Sequence, residues 1–495
     1  MNKFLDRQKL TLALASLLLL VITACSLDVT NPNSASEDQV LTTREGVIAL
    51  AAGIQQNYAI GVVEAMILTP GVTSGEIAIN STFTNLLELQ DGGDQVTTGN
   101  GNVLALWSRP IRVISMANDL INSAPNVTLD PGTRSGIIAL AHLYKAMSMG
   151  VLAQAFEQAP IELDENGKSI FQPRAEVLAS AISLLDAAAQ LLATTPASNE
   201  FTTQILGRNF DLVNTINAYR ARYNLMVGRY QQAFDAAASV NLASTSVFTY
   251  DDRNPNPIYQ LVFLNRNYAA RDNFGSALIE SGDGRVAFFL TPADRTNPSP
   301  YNLPIDDLKG FFDTPTKTIP VYLPGEMNLI KAEALVRQSR LAEAVVEINA
   351  VRTKTTDPFG VAAGLPIYSG PVTESARCQC RAQSQLLSVS RSRTLEQPQH
   401  TAGPDDLTTT HGAWYCAMPR FFPHDASKFR KTINRQLGGQ RAGVDHGGTK
   451  PANRKPPCCD RCRDLGGNHG APTEARAGCG LRRGLARART GESRR

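Results

Sequence analysis

The side chains best suited to metal and nucleophilic chemistry are concentrated at one end of this 495-residue chain. Seven of the eight cysteines and five of the six histidines follow residue 377. A structural zinc site needs four thiolate or imidazole ligands around one ion. Cys378 and Cys380 have the wrong spacing for a CxxC pair, so the second pair that such a site usually has is missing. Enough soft ligands for one zinc ion nevertheless occur further on: Cys458, Cys459, Cys462, His469 and Cys479.

The charge of the chain changes at the same place. Residues 1–377 contain 27 Lys/Arg and 36 Asp/Glu, a net charge of −9, whereas residues 378–495 contain 21 and 9, a net charge of +12. A segment this basic would bind nucleic-acid phosphates without sequence specificity. A shifted reading frame in the gene explains the composition of this segment better than either binding function, because Arg, Gly, Pro and Cys accumulate while the apolar periodicity is lost. We therefore treat residues 373–495 as an aberrant tail, disordered or frameshifted, with zinc and nucleic-acid binding as the alternatives.

The beginning of the chain has the pattern of a secretory signal. A basic start is followed by an apolar run that is too short to span a bilayer comfortably. Small residues then precede Cys25, which resembles a bacterial lipobox and implies cleavage before Cys25 and its acylation. More than one acyl chain anchors a protein stably. We predict a signal peptide over 1–24, a lipid-anchored tether over 25–45 and a place on the cell outer membrane. An ordinary secretory signal or an N-terminal membrane helix is the alternative.

Residues 46–372 have the composition of a helical domain. Apolar residues recur at three- and four-residue spacings in Val103–Asn122, and two Ala-rich segments cover Thr133–Phe156 and Arg174–Thr195. The polar stretches Tyr250–Asn256 and Asp283–Pro304 separate later helices. Loops of such length in a compact domain commonly carry binding function. The sequence thus predicts a helical scaffold with long irregular loops.

Two later segments match each other in the spacing of their small residues. Each has a tight turn, at Gly228 in the first and at Ser339 in the second. Small residues on both sides of a turn let two antiparallel helices approach closely, as in tetratricopeptide repeats. The alanines that flank the turns are twelve residues apart in both segments: Ala221 and Ala233, Ala332 and Ala344.

The body contains few groups for enzymatic chemistry. His142 is its only histidine, and its position on an apolar helix is typical of a packed side chain. We find no P-loop, no HExxH zinc motif and no Gly-x-Ser-x-Gly elbow. We predict no catalytic residue, no cofactor and no metal site, with a carboxylate-only glycosidase as the enzymatic alternative. Some loop carboxylates have ligand types suited to calcium, although solvated carboxylates are commoner: Asp28, Asp91, Asp94, Asp251 and Asp252.

The lipobox, the tether, the helix pairs and the polar loops together resemble the SusD/RagB family of outer-membrane nutrient-binding lipoproteins. The most specific match is Glu326–Ala334 with Asn349–Arg352, and Leu27–Asn33 and Ala139–Pro160 are similar as well. The resemblance covers residues 20–372 and stops where family members continue with further helices. It implies a mainly α fold in which tetratricopeptide-like helix pairs form a SusD-like scaffold.

The resemblance also implies a function. A protein of this kind binds a glycan or peptide nutrient at the cell surface and passes it to a SusC-like TonB-dependent transporter, without enzymatic activity and without nucleic acid. A tetratricopeptide-type scaffold of the cell envelope is the alternative. Family glycan sites are aromatic platforms on loops, not fixed motifs, so the ligand contacts stay unknown. Trp107 is predicted in the core, and the candidate platforms lie in the loop-rich stretch: Tyr250, Tyr259, Phe263, Tyr268, Phe274 and Tyr301.

Overall fold

The computed structural model describes residues 37–163, 168–275 and 279–370. The signal peptide, Cys25 and the tail 373–495 with its cysteines lie outside these residues, so what we predict of them stays a prediction. Within the predicted tether, the described chain begins with a short helix.

The described residues are mainly helical, as the sequence predicts. Helix α1 covers Glu37–Thr42, and helix α2 runs through Arg44–Asn57, a π-helical turn at Tyr58–Val62, and Val63–Thr73. The remaining helices are α3 Thr84–Asp91, α4 Gly101–Ser123, α5 Pro131–Ala155, α6 Arg174–Thr194, α7 Leu212–Met226, α8 Tyr230–Ala238, α9 Pro257–Tyr259, α10 Gly284–Phe289, α11 Pro324–Arg337 and α12 Leu341–Arg352. Two further π-helical turns cover Phe201–Leu206 and Gln260–Leu264.

Side-chain caps fix where the long helices begin. The Asn100 side chain accepts hydrogen bonds from the first amides of α4, and the Asp130 side chain does the same for α5. Such caps satisfy backbone N–H groups that have no partner within the helix. The caps place the starts two residues before those predicted from apolar spacing. Helix α5 ends at Ala155, one residue before the predicted end, and Pro160 lies beyond the helix in a strand.

Helices α4 to α8 pack in chain order, each against the next, and α8 then packs against α11 and α11 against α12. This side-by-side array has the layout of stacked helix pairs. The pairs α7–α8 and α11–α12 contain the two turns singled out in the sequence, with φ of +78° at Gly228 and +61° at Ser339. In both turns the amide that follows donates to the carbonyl five residues earlier, over 2.8 Å. The flanking alanines are all fully buried: Ala221, Ala233, Ala332 and Ala344. The predicted helix pairs are therefore confirmed.

Helix α5 forms the centre of the core. It packs against both α4 and α6, and its side chains are buried on almost every face. Within the part of the chain that the structure describes, three helical stretches are apolar enough, by length and composition alone, to cross a membrane: Arg44–Thr73, Pro131–Ala155 and Arg174–Thr194. In α5, 83% of that apolar window is buried inside the protein, so packing against neighbouring helices accounts for its composition.

The π-helical turn in α2 releases carbonyl groups that other elements use. The Tyr250 hydroxyl donates to the Ala59 carbonyl over 3.1 Å, and the Arg109 guanidinium donates to the Gly61 carbonyl over 3.0 Å. Arg109 also forms an ion pair with Glu64 at 3.0 Å. A π-turn leaves the regular hydrogen-bond ladder, so its carbonyls need such partners when they are buried. Tyr250 thus joins a predicted loop to the core of the molecule.

The strands of the described residues form three small antiparallel sheets. The four-stranded sheet has the order β1-β5-β7-β6, and two ribbons pair β2 with β3 and β4 with β8. The strands are β1 Ile77–Ile79, β2 Gln158–Leu163, β3 Ser169–Pro173, β4 Val247–Phe248, β5 Tyr268–Arg271, β6 Leu290–Thr296, β7 Pro304–Leu308 and β8 Ile319–Pro320. The interpretation of Asp283–Pro304 as one long loop is therefore wrong, because this stretch contains α10, β6 and the hairpin turn to β7.

Candidate functional site

An open cleft of about 350 Å³ lies where strands β6 and β7 meet the turn after β5. Strand β7 supplies the buried Ile305, which is 1% exposed, and β6 supplies the residue paired with it, Arg295. The ladder between the two strands is interrupted between Thr291 and Arg295, and within this bulge Asp294 has a φ of +44°. Bulges turn side chains away from the regular alternation of a strand. The cleft is lined by Asp272, Asp294, Arg295, Thr296, Pro304, Ile305 and Asp306.

Negative charge dominates the cleft. Of its four charged lining residues, three are aspartates and one is an arginine. The Arg295 guanidinium forms an ion pair with Asp307 on the neighbouring strand, so its charge is offset. Asp272 lies 3.9 Å from the Arg271 guanidinium, and Asp306 accepts a backbone hydrogen bond at 3.4 Å. Carboxylate oxygens and one threonine hydroxyl are thus available to a polar ligand.

The loop between β6 and β7, residues 297–303, is tied to the helix α3 region; we call it the strap. The Asn297 side-chain amide donates to the Ile79 carbonyl over 2.9 Å, and the Tyr301 hydroxyl donates to an Asp91 carboxylate oxygen over 2.5 Å. Partial burial and the Asp91 carboxylate raise the pKa of Tyr301 to about 12. The Tyr301 phenol acts as a hydrogen-bond donor, and the two contacts hold the strap against β1 and α3.

Three of the six candidate aromatic platforms lie in the core. Tyr250, Tyr268 and Phe274 are 8%, 5% and 2% exposed, so none of them offers a ring face to a ligand. The sequence pattern could not show this burial, because an aromatic residue in a polar stretch has the same sequence neighbours whether its ring is buried or exposed. Tyr301 is half-buried, and its hydroxyl is engaged by Asp91.

The other two candidates form one surface. Tyr259 and Phe263 are half-buried, and their rings stack with centroids 5.5 Å apart and planes inclined by 20°. They lie in α9 and the π-helical turn that leads to β5, next to Leu264, which is 63% exposed. Aromatic faces of this kind can stack on the apolar face of a sugar ring while its hydroxyls stay hydrated. Both rings stay partly exposed, so this pair remains the candidate aromatic platform.

Trp107 on helix α4 packs against the β2–β3 ribbon. Its ring stacks on Phe171, with centroids 6.0 Å apart, and meets Phe156 edge-on at 4.9 Å. The indole is half-buried and packs against the main core, close to the prediction of a core position. Through Phe171 it fixes the β2–β3 ribbon to helix α4.

The remaining candidates for chemistry in the body are His142 and side chains that bind metal ions. Burial, and secondarily the charge of Lys145, lowers the pKa of His142, which packs half-buried on α5. Among residues 37–163, 168–275 and 279–370, His, Cys, Asp and Glu side chains form no group of three or more able to hold a metal ion. The sequence did not single out the cleft aspartates, because Asp272, Asp294 and Asp306 come from three separate segments that meet only in the folded chain.

Solved structures share this architecture. No protein-family model and no curated protein matches the sequence. A SusD-like carbohydrate-binding protein from Bacteroides vulgatus is 15% identical, with a TM-score of 0.55, and the match covers 71% of this chain and 82% of that one. A SusD superfamily protein from Bacteroides thetaiotaomicron is 14% identical, with a TM-score of 0.54, over 70% of this chain and 86% of that one.

A third similar structure is a SusD superfamily protein from Bacteroides fragilis. It is 13% identical, with a TM-score of 0.53, and the match covers 72% of this chain and 89% of the other. At such low identities the shared feature is the arrangement of helices, sheets and connecting loops. The chain therefore has the SusD-like fold, a mainly α scaffold of tetratricopeptide-like helix pairs.

Proposed function

We propose that this protein is a cell-surface lipoprotein, anchored to the outer membrane through Cys25, that binds a glycan and delivers it to a SusC-like TonB-dependent transporter. The observation that carries the proposal is the SusD-like fold, since a matched structure with that fold is described as carbohydrate-binding. The lipobox-like leader supports the anchor, and the cleft and the Tyr259–Phe263 pair offer the groups that bind sugars.

The geometry of β6 favours a glycan over a peptide. This strand is an edge of the four-stranded sheet, where an extended peptide would bind by adding a strand. Pro292 cannot donate a ladder hydrogen bond, and the bulge at Asp294 breaks the ladder. Strand addition is therefore disfavoured, whereas a sugar needs no continuous backbone ladder.

Glycan binding is tested with the leaderless chain, which lacks the predicted signal peptide 1–24 and the lipidation site Cys25, by calorimetry and by retardation in gels containing polysaccharides. We expect Tyr259→Ala and Phe263→Ala to weaken binding about tenfold each, because loss of a stacking face costs roughly 1–1.5 kcal/mol. Phe171→Ala, which removes a ring on the separate β2–β3 ribbon, is the matched control and should leave affinity unchanged. Failure to bind any member of a broad glycan panel would overturn the proposal.

The transporter partner is tested by gentle detergent extraction of tagged protein from its native membrane. A single large TonB-dependent barrel in the eluate supports delivery to a transporter. A set of envelope-assembly proteins instead supports the scaffold function, which the observed helix pairs also permit. Substitution of Cys25 by Ala should release the protein from the membrane fraction if the anchor is correct.

A further inference from the structure

The charge balance of the cleft indicates which saccharides it accepts. We infer that the cleft takes saccharides without carboxylate or sulfate groups and prefers those with free amino groups. The inference rests on the proposed glycan-binding function and deepens it, since neither the fold nor the aromatic pair distinguishes sugars by charge.

The first observation is that three aspartates line the cleft. Asp272, Asp294 and Asp306 come from three separate parts of the chain, the turn after β5 and the strands β6 and β7, and all line one space. The pairing of Ala270 with Asp306 places Asp306 beside the end of β5, from which the chain continues into Asp272. A ligand in the cleft would therefore lie near aspartates from three segments of the chain.

The second observation concerns Arg295, the one cationic residue that lines the cleft. Arg295 already forms an ion pair with Asp307, and both side chains are about half exposed, at 42% and 51%. To bind an anionic sugar, the guanidinium would have to leave that carboxylate while Asp294 and Asp306 repel the ligand. The charge of Asp272 is offset in part by the Arg271 guanidinium 3.9 Å away. A like charge at a few ångströms lowers affinity even in a hydrated site.

The third observation concerns the groups with which the cleft can bind a neutral or cationic sugar. Pro304 gives the cleft an apolar surface, and the aspartate carboxylates and the Thr296 hydroxyl can accept hydrogen bonds from hydroxyl or ammonium groups. A pyranose presents both an apolar face and a ring of hydroxyl donors. An ammonium substituent adds a charge-assisted bond to a carboxylate.

The inference is tested by titrating the leaderless chain with matched oligosaccharides: tetraglucosamine against its N-acetylated form, and tetragalacturonate against a neutral galactose tetramer. We expect the amine form to bind about fivefold more tightly than the N-acetyl form at low salt and the uronate about fivefold more weakly than its neutral partner. Raising the salt concentration should reduce both ratios by screening.

Variants identify the side chains responsible. Asp294→Asn and Asp306→Asn should each reduce the charge ratios while keeping the thermal midpoint, and Asp252→Asn, an exposed loop aspartate outside the cleft, is the matched control. Glycan binding with no preference by charge, or with ratios that Asp294→Asn leaves intact, would overturn the inference but keep the proposed function. No binding to any glycan would overturn both.

Discussion

Single residues set the geometry of the two helix-pair turns. Ser339 is exposed and takes a left-handed φ of +61°, in the position that Gly228 occupies with +78° in the other pair. A side chain with a Cβ atom strains this conformation, whereas glycine adopts it freely. A Cβ atom at Gly228 would meet nothing closer than 3.8 Å, so the backbone alone decides the cost there.

The two turns therefore make a reciprocal prediction. Ser339→Gly should raise the free energy of unfolding by up to about 1 kcal/mol, and Gly228→Ser should lower it by a similar amount. Urea unfolding midpoints of both variants and the parent measure this. Equal midpoints for Gly228→Ser and the parent would show that the turn tolerates a side chain and that the assigned strain is absent.

A carboxylate at the start of α7 gives a second prediction at this scale. Burial alone would raise the pKa of Asp211, but hydrogen bonds from the Asn214 amide groups and the Ser244 hydroxyl outweigh it and lower the pKa. A lowered folded-state pKa stabilises the protein above the unfolded value of about 3.9, and this contribution is lost as the pH falls through the folded-state pKa.

Asp211→Asn keeps a capping side chain and removes the charge. We expect it to lower stability at pH 7 by about 1 kcal/mol, the size of a partly exposed charge-assisted hydrogen bond, and the deficit should shrink below about pH 4. Thermal midpoints at pH 7, 4 and 3 test this. A deficit of constant size across that range would show that charge is not its source.

At the scale of elements, glycine decides how closely helices approach. A Cβ atom at Gly150 on α5 would lie 1.9 Å from the Tyr223 hydroxyl on α7, whereas one at Gly53 on α2 would meet only the Met116 methyl, at 3.7 Å. The first distance is impossible without moving a buried ring, and the second is an ordinary contact. Helices α5 and α7 therefore pack closely because position 150 has no side chain.

The matched substitutions should have opposite effects. Gly150→Ala should destabilise the protein by about 1–3 kcal/mol, because the added methyl group overpacks the contact with α7. Gly53→Ala should stabilise it by about 0.5–1 kcal/mol, because alanine loses less conformational entropy than glycine when a helix forms. Chemical unfolding of both variants distinguishes them. A stable Gly150→Ala protein would mean that α5 and α7 separate more easily than their contacts indicate.

At the scale of the whole molecule, one buried ion pair joins the two helix pairs. The Arg222 guanidinium on α7 donates to Glu326 on α11 over 2.6 Å and lies 4.3 Å above the Tyr219 ring. The two charged side chains are 9% and 21% exposed. Burial would lower the pKa of Arg222, but the Glu326 carboxylate outweighs it and holds the pKa above its ordinary value, so the pair stays charged.

Removal of one charged side chain should therefore lower the free energy of unfolding more than removal of both. Arg222→Met should lower the free energy of unfolding by about 3 kcal/mol, since it leaves a poorly hydrated carboxylate without its counter-charge. The double variant with Glu326→Leu should recover most of that loss. Unfolding curves of the single and double variants measure the coupling, and additive losses would show that the two side chains do not depend on each other.

The sequence determined the helical scaffold because its signals are local. The spacing of Ala221 and Ala233 and the left-handed turn at Gly228 act within about a dozen residues, so they can be recognised without a partner segment. The apolar periodicity of α4 and the Ala-rich composition of α5 and α6 act over a similar range. For the same reason the predicted and observed bounds of α4, α5 and α6 differ by at most two residues. The differences lie at helix ends, where capping residues decide the boundary and apolar spacing gives no signal.

The cleft and its strap were decided by the tertiary structure. Strand β6 is mostly polar and exposed, so it lacks the alternation by which a strand is recognised, and Asp294 enters the cleft only through a bulge. The contact between Tyr301 and Asp91 joins residues 210 positions apart. Burial of Tyr250, Tyr268 and Phe274 likewise depends on which segments fold over them. Long-range contacts of this kind leave no periodic trace in a single sequence, because each partner alone resembles an ordinary loop residue.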